Sequence, residues 1–318
     1  MVAAAPLRVV FFGTPDFAVP TLEALLHSQH HVVAVVTQPD RPRGRGQKTV
    51  DGPVKALAVK AGVPVLQPLR LRDSAFVDGF MQLGPDLGVV AAYGKILPED
   101  LIEAPRLGMI NVHASLLPKY RGAAPVHRAV IAGESQTGVT IMRVVKALDA
   151  GPMMAMATRS IDADETSDVV ERDLARIGAP LLVSVVDRLA AGTAEEIPQN
   201  DALATYAPRL TKDDGVVDWS WPALRIHNLI RGLHPWPHAF SFLSGSRVIL
   251  RRSSPIVERV AAPPGTVTEA HGDRLVVASG DAALRLLEIQ PEGKRPLTAR
   301  EFLAGHRVAA GARFSAQP

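Results

Sequence analysis

Residues 7–40 read LRVVFFGTPDFAVPTLEALLHSQHHVVAVVTQPD, and they set the architecture. A short run apolar on both faces (7–12) leads into an amphipathic stretch (17–27) and then into a second β-branched run (31–37). Strand, helix, strand within so few residues is a βαβ unit, and strands apolar on both faces belong in a parallel sheet covered by helices on both sides. The alternation continues outward, with strands expected at 63–67, 87–92, 109–113 and 139–145 and helices at 53–61, 74–83, 125–133 and 167–191. The expected fold class is α/β, a doubly wound, mostly parallel, Rossmann-like sheet over residues 1–192. The first turn, Gly13-Thr-Pro-Asp-Phe17, lacks the G-x-G-x-x-G spacing that seats a pyrophosphate on a helix amino terminus, so no dinucleotide is expected.

The alternation fades over 193–208, where Pro198, Asn200, Asp201 and Pro208 suggest a linker. Beyond it a helix near 221–232 precedes strand-like runs at 239–243, 247–251, 265–269, 275–278 and 284–289. Short strands separated by turn residues predict a small β-barrel of OB-like type over 209–318. Two cores suit a chain of 318 residues that is 47% hydrophobic and 21% charged.

The start of the chain reads as a buried strand rather than a signal peptide, and no apolar run approaches the ~20 residues that cross a bilayer. With no cysteine there are no disulfides and no thiolate chemistry, and a cytoplasmic location is the default. Formal net charge is +3, unevenly spread: residues 1–206 carry −2 and residues 207–318 carry +5. That asymmetry is compatible with a second domain that touches a polyanion.

In Met109-Ile-Asn111-Val-His113 the two polar residues are two apart, so both side chains leave the strand on one face. They sit at the carboxyl end of a predicted parallel strand, where open α/β sheets bind ligands. Asp149, in Leu148-Asp-Ala-Gly151, follows the next strong strand and can reach the same crevice. An amide donor, an imidazole and a carboxylate suit acyl transfer to an amine: Asn111 faces an oxyanion, His113 stabilises or shuttles charge, and Asp149 orients the ring or assists proton removal. Taken alone, an Asn-x-His pair and an Asp before a glycine turn are as readily structural.

The longer string NVHASLLPKYRGAAP (111–125) resembles the signature of the methionyl-tRNA formyltransferase family, within the wider group of enzymes that use 10-formyltetrahydrofolate. FFGTPDFAVPTLEALL, TQPDRPRGRGQK, AAYGKILP, TGVTIM and NLIRGLHPWPHA resemble it too, so the likeness runs through both domains. It implies that Asn111, His113 and Asp149 are the catalytic trio, that Ser115, Leu116, Leu117 and Pro118 border the folate site, and that the formyl donor is 10-formyltetrahydrofolate. Two departures flank the trio: Ala114 stands where the family usually has Gly, and Ala150 where it often has Thr.

Arg41-Pro-Arg43-Gly-Arg45-Gly-Gln-Lys48 places four cations and no acid in eight residues, and reads as a mobile loop. The resemblance implies that Arg41, Arg43, Arg45 and Lys48 approach the acceptor stem of methionyl initiator tRNA. Arg231, Arg247, Arg251 and Arg252 are further candidates for phosphate contacts. Trp219, Trp221 and Trp236 favour core packing over base stacking. His234 and His238 are four apart, but Pro235 and Pro237 break the helix that shared metal ligation would need, and no metal is expected. No membrane and no obligatory protein partner is implied. Three alternatives stay open on the residues alone: formyl transfer to an amino sugar nucleotide, against which the basic loop argues; a non-catalytic tRNA-binding protein, against which the trio argues; and a hydrolase releasing formate.

Overall fold

The apolar runs that open the chain form the middle of a sheet. The computed structural model describes residues 5–40, 42–43, 48–49 and 51–317. In chain order the elements of the first part are β1 (Arg8–Gly13), α1 (Val19–Leu26), β2 (His31–Val36), β3 (Pro42–Arg43), β4 (Lys48–Thr49), α2 (Pro53–Lys60), β5 (Val65–Leu66), α3 (Ser74–Gln82), β6 (Leu87–Ala91), α4 (Glu99–Glu103), β7 (Met109–His113), β8 (Arg121–Gly122), α5 (Pro125–Ala132), β9 (Gln136–Arg143), β10 (Met153–Ser160), α6 (Ser167–Ala190) and β11 (Tyr206–Ala207).

Among the described residues, seven strands order as β10-β9-β7-β6-β1-β2-β5. The pairs β1–β2, β1–β6, β2–β5 and β6–β7 are parallel, and β9 runs antiparallel to β7. The strand expected at 139–145 lies at Gln136–Arg143, and β10 was not foreseen. Its sequence, MMAMATRS, alternates between sheltered and exposed positions as an edge strand does, which hides it from a search for wholly apolar runs. Strand order reverses direction at β1, so the crevice beyond the carboxyl ends of β1, β6 and β7 is the natural place for a ligand. One side of the sheet is filled by Val10, Phe12, Phe80, Tyr93, Leu101 and Met109, with the Tyr93 ring edge-on to Phe12 at 5.5 Å. Burial pushes the Tyr93 phenol up to about 12, so it packs as a neutral ring.

Gly138, in β9, is demanded by close approach. A Cβ there would meet the Ala157 carbonyl oxygen at 2.2 Å and Leu116 Cδ2 at 2.4 Å. Gly138→Ala is therefore expected to destabilise the fold by about 1–3 kcal/mol through overpacking. Calorimetry would read this as a fall of several degrees in Tm, and an unchanged Tm would contradict the packing described.

By internal contacts the residues form two compact units whose segments alternate along the chain. One unit holds the chain up to Pro125 with Thr137–Arg159 and Glu171–Ala207; the other holds Val126–Gln136, Ser160–Val170 and the chain from Pro208 onward. The stretch read as a linker is bonded into the first unit: β11 pairs parallel with β8, and Ile197 bridges Met153. Its polar side chains supply the reason, because they meet partners on 118–122.

The second unit contains α7 (Ala223–Gly232), β12 (Ala239–Leu243), β13 (Ser246–Ile256), β14 (Val267–His271), β15 (Arg274–Ala278), β16 (Ala283–Pro291), β17 (Leu297–Thr298), α8 (Ala299–Gly305) and β18 (Phe314–Ser315). Its curled sheet orders as β14-β15-β16-β13-β12-β18, with β17 beside β16 and antiparallel pairing between the successive strands from β14 to β18 whose registers are resolved. The chain before β18 also bonds to residues at the start of β14: Val267 N–H donates to Ala312 at 2.8 Å and Phe314 N–H to Gly265 at 2.8 Å. These bonds tie the two sides of the curl together, as a small barrel requires. Trp219 is buried there, its indole N–H donating to Ser241 Oγ at 2.9 Å, which is the core role its sequence context favoured.

Candidate active site

The pleat of β7 sends Asn111 and His113 to one face, with Asn111 opposite Met142 and His113 opposite Thr140 on β9. His113 is buried. Its Nε2 lies 3.0 Å from the carbonyl oxygen of Tyr120, and since a carbonyl only accepts, Nε2 carries the hydrogen. The other nitrogen, Nδ1, then faces Asp149 Oδ2 at 3.7 Å, too far for a direct hydrogen bond but within reach through one water or a substrate proton. Asp149 is held on the left-handed side of backbone space, at φ +48°, and its Oδ2 accepts the Gly122 N–H at 2.8 Å. The Asn111 amide is half-buried and makes no hydrogen bond among the described residues. The structure thus sets His113 beside Asp149 and places Asn111 on the same face of β7, its side-chain amide unbonded to any described residue.

Ser115, Leu116, Leu117 and Pro118 follow directly. The Ser115 hydroxyl donates to the Lys119 carbonyl at 2.6 Å, and its own carbonyl accepts from Thr140 Oγ1 at 2.7 Å. Leu117 N–H donates to the same Thr140 oxygen at 3.2 Å, and the Leu117–Pro118 peptide is cis. The segment is a fixed wall: its hydroxyl is spent internally, and Leu116 packs against the space at Gly138. Thr140 was missed in the sequence, although its place opposite His113 follows from the same period-two alternation. A cleft of about 480 Å³ opens at the other end of β7, lined by Ile102, Met109, Arg143, Val144 and Lys146. Another of about 480 Å³ follows β6 and is lined by Arg70, Arg72, Lys95 and Ile96.

Arg41 and Arg45 lie outside the described residues. The backbones of Arg43 and Lys48 pair across a short antiparallel ladder where a loop was expected. Among the other cations, Arg231 is buried in the second unit and donates to Asn228 Oδ1 and to the carbonyls of Asp162 and Glu165, so it is not presented to a polyanion. Arg247 lies over Phe240, Arg251 pairs with Glu288, and Arg252 is exposed. Trp221 lies under Arg225, and Trp236 is half exposed. The His234 and His238 rings are 5.4 Å apart, and burial together with Arg251 and His234 pushes His238 down to about 4, leaving it neutral near pH 7. Among the described residues no cluster of three or more His, Cys, Asp or Glu side chains is placed to hold a metal ion.

Comparison with known proteins adds what geometry alone does not. Residues 7–186 match the model of the formyl transferase family, and residues 209–307 match that of the formyl transferase C-terminal domain. The chain is 46% identical over 310 residues to the methionyl-tRNA formyltransferase of Geobacter metallireducens, covering 98% of this chain and 99% of that one. It is 48% identical over 303 residues to the enzyme of the same name from Pelobacter propionicus, covering 95% and 94%. Among solved structures, a Helicobacter canadensis N-formyltransferase in complex with folinic acid and dTDP-3-aminofucose superposes with a TM-score of 0.68 over 90% of this chain and 99% of that one. At 18% identity that likeness speaks for the fold alone. With likeness end to end and both domain models matched in order, the chain belongs to the formyl transferase family, among its methionyl-tRNA formyltransferases.

Proposed function

We infer that this enzyme transfers the formyl group of 10-formyltetrahydrofolate to the α-amino group of methionyl initiator tRNA, releasing tetrahydrofolate. The observation that carries the reading is near-full-length identity of 46% to methionyl-tRNA formyltransferases in a chain that keeps the amide, imidazole and carboxylate at one strand end. The amino-sugar and non-catalytic alternatives have no comparable support. We place the enzyme in the cytoplasm, where initiator tRNA is used; no described helix is long and apolar enough to cross a membrane.

The substrate amine attacks the formyl carbon directly, so no side-chain nucleophile is needed. As the new C–N bond forms, the carbonyl pair moves onto oxygen, and the Asn111 amide N–H is the donor aimed at that charge. His113, anchored through Nε2, offers Nδ1 to the reacting groups; when Nδ1 takes a proton the imidazolium is balanced by Asp149. Collapse breaks the bond from carbon to the folate nitrogen, whose electron pair takes up the proton the amine gave up. We assign the wall of Ser115, Leu116, Leu117 and Pro118 to the folate side of this crevice, the first unit to chemistry, and the basic carboxyl-terminal stretch, residues 209–318, to tRNA.

Labelled formyl donor offered to methionyl initiator tRNA, uncharged tRNA, free methionine and an amino sugar nucleotide tests the reading. Label on the methionyl-tRNA alone is the expected result, and label on the sugar or only free formate overturns the substrate. We further assign Arg41, Arg43 and Arg45 to tRNA phosphates. Their triple replacement by Ala should lower kcat/KM for tRNA and make its log–log salt dependence shallower by about one per lost contact, with KM for the formyl donor held. An unchanged salt slope would refute that assignment.

A further inference from the structure

Gln199 has no part in the chemistry above, yet its side-chain amide is fully committed, its nitrogen to the 149–151 turn and its oxygen to Arg121. Its Nε2 donates two hydrogen bonds of 2.8 Å, to the carbonyls of Asp149 and Gly151. Its Oε1 accepts from Arg121 twice, at 3.1 Å from Nε and 2.8 Å from Nη2. Arg121 is 4% exposed and also reaches Asp201 at 2.6 Å. The amide has one orientation that works, because a guanidinium only donates and the two carbonyls only accept. Arg121 therefore fixes which end of Gln199 faces the turn.

The turn needs such a hold. Asp149 occupies left-handed backbone space, which aspartate adopts more readily than most non-glycine residues but which neighbouring bonds must still select over the extended and helical alternatives. Gly151 is pressed so close to β9 that a Cβ would lie 2.0 Å from the Arg143 carbonyl oxygen. The pair Arg121–Gly122 thus reaches Asp149 by two routes. Gly122 N–H binds its carboxylate directly, and the Arg121 side chain binds its backbone through Gln199.

We propose that Gln199, oriented by Arg121, is a positioning residue for formyl transfer: it holds the 149–151 turn so that the Asp149 carboxylate stays beside His113 Nδ1. The proposal rests on the reading of Asp149 as a member of the reacting trio. It makes the stretch between the two domain models part of the active site's support.

The test is a cycle of single-turnover rates, substrate KM values and Tm for Gln199→Leu, Gln199→Glu, Asp149→Asn and the double variant Asp149→Asn with Gln199→Leu. Gln199→Leu should lower the transfer rate roughly ten- to a hundredfold, the scale of a misplacement of about 1 Å, with both KM values held; it also leaves buried Arg121 and two carbonyls without this partner, so Tm should fall and the rate is read on protein shown to be folded. Gln199→Glu keeps the acceptor for Arg121 but loses both donors, and should fall as far; it also serves if the leucine variant does not fold. In the Asp149→Asn background the Gln199 change should add less than about twofold, because the residue acts through Asp149. Wild-type rates in both Gln199 variants, or losses that multiply in the double variant while Asp149→Asn alone is slow, would overturn the positioning role. A wild-type rate in Asp149→Asn would instead overturn the reading of Asp149 itself.

Discussion

Asn111→Ala is expected to slow single-turnover formyl transfer by roughly 10²–10³-fold, the usual loss when one oxyanion donor is removed. The structure makes this a clean experiment. The Asn111 amide bonds to no described residue, so its removal orphans no buried partner and should leave Tm unchanged. Ground-state contacts to the flat formyl carbonyl are weak compared with those to the developing oxyanion, so the loss should fall on the rate and spare KM for both substrates. Asn111→Asp should be at least as slow, because a carboxylate then faces the growing negative charge. A rate within a few-fold of wild type for the alanine variant would remove Asn111 from the chemistry.

His113→Ala should cost about 10²–10⁴-fold, as for loss of a positioned acid–base group. This change also reaches the fold, because the ring is buried and its Nε2–H satisfies the Tyr120 carbonyl. Some loss of Tm is expected, so the decisive measurement is the rate on protein shown to be folded, with Asp149→Asn beside it. Asparagine tolerates the left-handed backbone at 149 and can still accept from Gly122, so only the charge is removed. If His113 and Asp149 work as one unit, the double variant should be little slower than the worse single variant. Multiplying losses would mean that they act independently.

How much of this was legible in the sequence follows from what each signal depends on. The runs behind β1, β2, β6 and β7 are buried on both faces, so composition alone announces them. The one-sided edge strand β10 has no such mark, and the paired backbone at Arg43 and Lys48 was masked by a run of charges. Asn111 and His113 were legible because a period of two is local. Asp149 was legible only as a carboxylate after the next strand, and its left-handed backbone could not be read from the chain. Gln199 was illegible: nothing near it in sequence announces that β11 will pair with β8 and carry the stretch back to the 149–151 turn. Arg231 failed in the opposite sense, since a cation near the end of an amphipathic helix looks exposed until its carbonyl partners are seen.

The alternation of segments between the two compact units bears on how such a gene can recombine. A single crossover near Pro208 between two relatives would join one parent's Val126–Gln136 and Ser160–Val170 to the other parent's barrel, so a chimaera inherits a mixed second unit. Arg231 from one parent would then have to find the carbonyls of Asp162 and Glu165 on backbone shaped by the other. Exchanges that preserve both units must move three separated pieces at once, so this architecture favours descent as a whole over shuffling of its parts.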